Sequence, residues 1–138
     1  MKTVPVEIVT PERKVFSGDA QMVIARGGAG DLGVLPGHTP LATTLKISAV
    51  RIKLPDGSEQ LIAVSGGFME VKPDKVTILA EAAELPEDID VDRAERARQR
   101  AEQRLAASGA ENFEYRRAEL ALQRAVNRLQ VAKTRDRK

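Results

Sequence analysis

The chain has 138 residues, enough for one domain or for a small domain with an accessory element. Apolar residues make up 42% of it, yet only three Phe and one Tyr are aromatic, so the core must be aliphatic and a base-stacking surface is disfavoured. The formal net charge of +2 falls short of the basic excess of a nucleic-acid binder, and the absence of Cys excludes disulfides, thiol nucleophiles and Cys-based metal sites.

A chain without Cys also suits a reducing interior. Its first five residues lack an apolar signal core, and no apolar run reaches the roughly 18 residues of a membrane span, so a soluble or peripheral protein is expected. Composition changes at Pro86: Gly, Pro, Val and Ile dominate before it, and Ala, Arg, Glu, Gln and Leu after it. Two modules are therefore expected, residues 1–86 and 87–138. The first has three Arg among nine basic residues, whereas the second has eleven Arg and two Lys.

Residues 3–10 alternate, with Val4, Val6 and Ile8 on one face, which predicts a half-buried strand; Pro5 would put it near an edge. Further short strands are expected at 14–16, at 21–26 around Met22 and Ile24, at 41–47, at 48–54, at 60–64, at 68–71 and at 76–82. Turns are expected at Ser17-Gly18-Asp19, Pro55-Asp56-Gly57 and Pro73-Asp74, while Ser65-Gly66-Gly67 breaks the run that 68–71 continues. The cluster Gly27, Gly28, Gly30 and Gly33 lacks the Gly-Lys-Ser/Thr ending of a phosphate loop and reads as a tight surface loop. Short strands with regular turn signals predict an all-β sandwich or barrel. Ser65 stands outside a Gly-x-Ser-x-Gly elbow, and His38, the only histidine, is more economically a structural or contact residue than a base. No catalytic constellation emerges.

In the second module, Asp88 or Asp90 can cap a helix whose stripe is Ala94, Ala97, Ala101 and Leu105, ended by Ser108-Gly109. A second helix, capped by Asn112, carries Ala118, Leu122, Ala125, Leu129 and Ala132 at heptad spacing. The two predict an antiparallel αα hairpin. Folding the chain near Gly109 sets Asp90 opposite Arg128 and Arg93 opposite Arg124, with Arg96, Arg100 and Arg104 on the same side as Arg93. Spacing alone leaves two readings open. The arginines line a solvated face with internal pairs such as Arg98 with Glu102, or they converge on an acidic partner or a polyphosphate.

A family resemblance rests on several motifs in one order. They are Gly30-Asp31-Leu32-Gly33-Val34-Leu35-Pro36-Gly37-His38-Thr39-Pro40, Ala63-Val64-Ser65-Gly66-Gly67-Phe68, Pro73-Asp74-Lys75-Val76-Thr77 and Ala121-Leu122-Gln123-Arg124-Ala125-Val126-Asn127-Arg128-Leu129. The chain resembles the epsilon subunits of bacterial rotary ATP synthases, bacillus type. The resemblance implies an α+β chain in two modules: a β-sandwich of about ten strands followed by the αα hairpin. It implies a non-catalytic rotor subunit that binds the gamma stalk and the membrane c-ring, with the loop around Asp31 and His38 toward the ring. The location implied is the cytoplasmic side of the bacterial plasma membrane, held peripherally through the complex. The family's hairpin folds down or extends along gamma, reaching the alpha and beta subunits and inhibiting ATP hydrolysis. Ile89-Asp90-Val91-Asp92-Arg93-Ala94 matches the ATP-binding motif of bacillus-type members. With Glu84, Arg100, Arg124 and Arg128 it implies a regulatory ATP site, with Glu84 and Asp90 on the adenine side and the arginines on the phosphates. No required cofactor and no metal are implied, and residues 134–138 lie past the matched part. Two rival readings are an Arg-rich nucleic-acid or protein-binding adaptor, which mixed charge disfavours, and a hydrolase around Ser65 or His38, which lacks a second catalytic partner.

Overall fold

The computed structural model describes residues 2–107 and 113–136. The chain divides into two units, Met1–Leu85 and Pro86–Lys138. The expected turn at Ser108-Gly109 and cap at Asn112 lie outside the described residues.

The first unit contains β1 (Val4–Val9), β2 (Lys14–Ala20), β3 (Met22–Gly27), β4 (Gly30–Val34), β5 (Leu41–Lys53), β6 (Glu59–Lys72), β7 (Lys75–Ala80) and β8 (Ala83–Glu84). Hydrogen bonding runs in the order β2-β1-β7-β6-β5-β3-β4, with β8 on β6. All pairs are antiparallel except β1 with β7. In β1 the alternation holds: Val4, Val6 and Ile8 are fully buried. Pro5 does not mark an edge, because β1 lies between β2 and β7. It is tolerated because the ladder to β7 begins only at Val6.

Several local expectations are overridden by pairing. Ser17-Gly18-Asp19 continues β2 instead of turning, held opposite Glu7, Val6 and Pro5 of β1. In β3 the buried face is Val23 and Ala25, the opposite parity from Met22 and Ile24, which are half-buried. The glycine cluster is a hairpin, with Gly27 paired to Gly30 across a tight turn, and within it only Gly30 has a left-handed φ of 134°.

The strands expected at 41–47 and 48–54 are one, β5, and those at 60–64 and 68–71 are one, β6. Those mergers leave six of the strands read from the residues; β4 and β8, which the residues did not predict, bring the total to eight, where the family resemblance implied about ten. The apparent break is a change of face. Along β5 the buried residues are Leu45 and then Ser48, Val50 and Ile52; along β6 the core face is Ile62 and Val64 and then Met69 and Val71, with Ala63 buried as well on the other face. Both strands swap parity at the same place, where Leu45 pairs with Gly67 and Ile47 with Ser65. Such a corner lets a continuous strand pass from one layer of a sandwich to the other. Gly66 (φ 92°) and Gly67 (φ 139°) supply the backbone conformations that it needs. The folded-over sheet encloses one aliphatic core drawn from all eight strands. Each buried Val or Ile there contributes about 1.5–3 kcal/mol.

The second unit opens with a 3-10 turn, Pro86–Asp88, followed by α1 (Val91–Ala107), α2 (Phe113–Ala132) and a second 3-10 turn, Lys133–Asp136. Of the two candidate caps, Asp90 is the one used. Its Oδ1 accepts the Arg93 N–H at 3.0 Å, and its carbonyl accepts the Ala94 N–H at 3.0 Å. α1 packs against α2. Ala94 and Ala101 on α1, and Ala118, Ala125 and Ala132 on α2, are buried as the periodicity predicts. Each such methyl contributes only about 0.8 kcal/mol, so cohesion per residue is far weaker here than in the β core.

Replacing Gly67 by Ala should be severely destabilising. Its Cβ would land on the Leu79 carbonyl and within 2.8 Å of the Ala80 Cα, at a φ that disfavours any side chain. A loss above about 3 kcal/mol is expected from urea unfolding, against about 1 kcal/mol at Gly57, where φ is +90° but the space is open. A second prediction concerns Glu7, which bridges Lys75 of β7 at 2.6 Å and Lys14 of β2 at 3.1 Å. The hydrogen bond from Lys75, then that from Lys14, holds its carboxyl below the usual glutamate value. A depressed folded-state pKa contributes stability above the unfolded value and loses it as pH falls through the folded one. Glu7→Gln should therefore lower the urea midpoint slightly at about pH 6 and match the parent at about pH 2.

Candidate functional site

Helical geometry places the arginines. Successive residues of an α-helix are about 100° apart, so a residue just before a seam position lies on one flank, and a residue just after it on the other. On α1, Arg93, Arg96, Arg100 and Arg104 each immediately precede Ala94, Ala97, Ala101 and Leu105. On α2, Arg117, Arg124 and Arg128 immediately precede Ala118, Ala125 and Leu129. The helices are antiparallel, since Arg135 past the end of α2 donates to the carbonyl of Ile89 just before α1. In an antiparallel pair related by an approximate two-fold, rows displaced in the same rotational sense fall on the same side of the seam. The two arginine rows therefore share one flank.

A cavity of about 470 Å³ on that flank bears this out. Arg104 of α1 lines it together with Glu114, Arg117, Ala118, Leu120, Ala121 and Arg124 of α2. The opposite flank has a different character. There a groove of about 540 Å³ is lined by Val91, Glu95 and Arg98 of α1 and by Val126, Leu129, Gln130 and Lys133, among others. Arg98 pairs within its own helix with Glu95 and Glu102. The Arg98 hydrogen bond depresses the Glu95 carboxyl pKa, and the Arg98 guanidinium is raised in return, first by Glu95. The acids of the mixed flank are thus taken up by Arg98, while Lys133 and Arg135 line the end of its groove. The arginine flank carries Glu114, paired with Arg117 at 3.6 Å, as the acid of its cavity. An anion with several negative oxygens complements such a surface, because each guanidinium offers a planar fork of N–H donors.

The sequence-predicted residues fall as follows. Asp90 is exposed at the α1 cap, with one carboxylate oxygen engaged by Arg93 N–H. Ile89 and Ala94 are buried at 3% and 1% and fix the backbone around it. Arg93, Arg100 and Arg124 are exposed on the shared flank and Arg128 is half-buried. Glu84 belongs to the first unit, half-buried in β8 opposite Ala63. Of these only Arg124 lines the 470 Å³ cavity, together with Arg104 and Arg117; Arg93, Arg100, Arg128 and Asp90 lie outside its lining, and Arg117 had no assigned part. The signal that finds it is the recurring Arg immediately before a seam residue.

The other candidate pair sits in the sandwich. Asp31 of β4 is exposed and ion-paired to Arg26 of β3 at 3.2 Å. His38 lies in the following loop, where its Nδ1–H donates to the Thr39 carbonyl at 2.7 Å. That loop is fixed by two backbone bonds, His38 N–H to Leu35 and Gly37 N–H to Pro73 of the β6–β7 turn. Leu35 beside it is 56% exposed. No hydrogen bond joins Asp31 to His38 among the described residues.

Two domain models match the chain: the ATP synthase delta/epsilon chain β-sandwich domain over residues 3–86, and the ATP synthase delta/epsilon chain long α-helix domain over residues 87–133. The ATP synthase epsilon chain of Bacillus subtilis (strain 168) is 60% identical over 132 residues, covering 96% of this chain and 98% of that one. The epsilon chain of Brevibacillus brevis is 61% identical over 111 residues, 80% of this chain and 84% of that one. Among solved structures, a chain from the Euglena gracilis mitochondrial ATP synthase (OSCP, F1 and c-ring) shares the fold. Its TM-score is 0.78 at 20% identity, with 95% of this chain and 81% of that chain covered. An aliphatic β-sandwich followed by an alanine-seamed hairpin, matched over both modules, places this chain in the ATP synthase epsilon chain family.

Proposed function

We propose that this chain is a non-catalytic rotor subunit whose hairpin senses ATP. The observation that carries the reading is the segregation of charge on the hairpin: arginines on one flank, self-paired acids and bases on the other. In this reading the sandwich joins the gamma subunit to the c-ring, with Asp31, His38 and the exposed Leu35 loop toward the ring. The chain is then peripheral to the cytoplasmic face of the bacterial plasma membrane. Among the described residues no helix is long and apolar enough to cross a membrane.

ATP is the regulatory ligand, and no bound cofactor is required. Arg93, Arg100, Arg124 and Arg128 hold the triphosphate, while the second carboxylate oxygen of Asp90 accepts from the adenine amino group. Ile89 and Ala94 shape the wall of this end. An alanine seam gives the closed hairpin little cohesion, so a ligand that spans both helices has a large effect on it. Binding to the closed hairpin alone stabilises it by RT ln(1 + [ATP]/Kd), about 2.7 kcal/mol at a hundredfold excess over Kd. When ATP falls, the hairpin extends, and the same arginines become available to acidic surfaces of the alpha and beta subunits, where they inhibit hydrolysis.

Equilibrium dialysis of the isolated chain with labelled ATP tests this directly. Saturable uptake is expected, and none at millimolar nucleotide would end the sensor reading. Arg124→Ala should weaken binding by about tenfold or more, as loss of a charge-assisted contact does. Asp90→Asn is the sharper variant, because Asn is an equally good helix cap but presents N–H donors to the adenine amino group. Helicity by circular dichroism should stay unchanged while affinity drops; equal affinity for both variants would remove these residues from the site.

A further inference from the structure

Past the end of α2, and past residue 133 where the helical family model stops matching, Arg135 reaches back across the open end of the hairpin. Its Nη1 amino group donates to the carbonyl of Ile89 at 3.2 Å and, at a longer 3.5 Å, to that of Pro86. Thr134 sets the turn that aims it, its hydroxyl donating to the Val131 carbonyl at 2.6 Å. The carbonyls that it meets are not arbitrary. Pro86 and Ile89 bracket the 3-10 turn leading into α1, and the Ile89 carbonyl belongs to the peptide that joins Ile89 to Asp90. Asp90 is consequently held at two points. Arg135 donates to the oxygen of the peptide that precedes it, and the Arg93 N–H donates to its carboxylate at 3.0 Å.

From this we infer that Arg135 is a positioning residue for the segment Ile89 to Ala94, fixing the backbone from which the Asp90 carboxylate projects. Its functional half rests on the ATP reading given above; its structural half does not. The contact exists only while the end of α2 lies beside the start of α1, so it forms with the closed hairpin and is broken when the helices part. Arg135 thereby couples the tail after α2 to the state of the hairpin. A charge that merely complements the negative end of α2 would act on the last turn of that helix and leave the first turn of α1 untouched.

Amide hydrogen exchange by NMR on the full chain without nucleotide, followed by ATP titration of the same samples, separates these cases. Arg135→Ala should speed exchange of the Arg93 and Ala94 amides by about tenfold, the effect of losing one charge-assisted hydrogen bond. Exchange at Ile62 in the sandwich should not change, and Arg135→Lys, which keeps charge and donor, should restore most of the protection. The ATP dissociation constant of Arg135→Ala should rise by a similar factor. Unchanged exchange at Arg93 and Ala94, or a change confined to Val131 and Ala132, would overturn the inference. Faster exchange with unaltered ATP affinity would also overturn it, as a positioning role. If the parent chain takes up no ATP, the sensor reading falls while the exchange data still decide whether Arg135 anchors the segment.

Discussion

The packing of alanine against alanine between α1 and α2 governs most of what the hairpin can do. Small side chains at Ala94, Ala101, Ala118, Ala125 and Ala132 let the two backbones approach closely, so flanking residues of one helix come within reach of those of the other. The same choice withholds cohesion, because a buried methyl is worth a fraction of a buried Leu. Close approach creates the arginine-lined cavity; weak cohesion makes its closure conditional. In the proposed reading, one sequence feature thus supplies both a polyanion-complementary surface and a hairpin whose state a ligand decides.

The sandwich follows the opposite logic. Its core is aliphatic and drawn from every strand, and on its surface Glu7, between Lys14 and Lys75, ties three neighbouring strands. A stiff aliphatic unit and a weakly cohesive helical one suit the proposed role, in which the first holds its place in an assembly while the second changes state.

Much of this was legible before the structure, and the misses have common causes. Period-two alternation found β1, and period-seven spacing found both helices, because in each case the local pattern and the buried face agree. The expected turn at Ser17-Gly18-Asp19 failed because pairing with β1 outweighed turn propensity. The parity of β3 failed because Met22 and Ile24 are the larger apolar residues, yet Val23 and Ala25 face the core. Splitting β5 and β6 mistook a change of buried face for an end of strand. At the candidate site, residue spacing alone could not choose between Asp88 and Asp90 as cap. Nor could it give residues 134–138 a part. Arg135 acts across 46 residues on a backbone oxygen, and no side-chain pattern encodes such a contact.

The corner at Gly66 and Gly67 has a mechanical side. Two sheets that meet only through side chains can slide past each other at the expense of packing. Here β5 and β6 run through the corner as continuous chain, paired to each other along almost their whole length. Shear between the layers must therefore bend covalent backbone and strip a ladder of hydrogen bonds at once. A body of this kind transmits twist from one end to the other with little internal give, and its rigidity is concentrated at two residues that have no side chains.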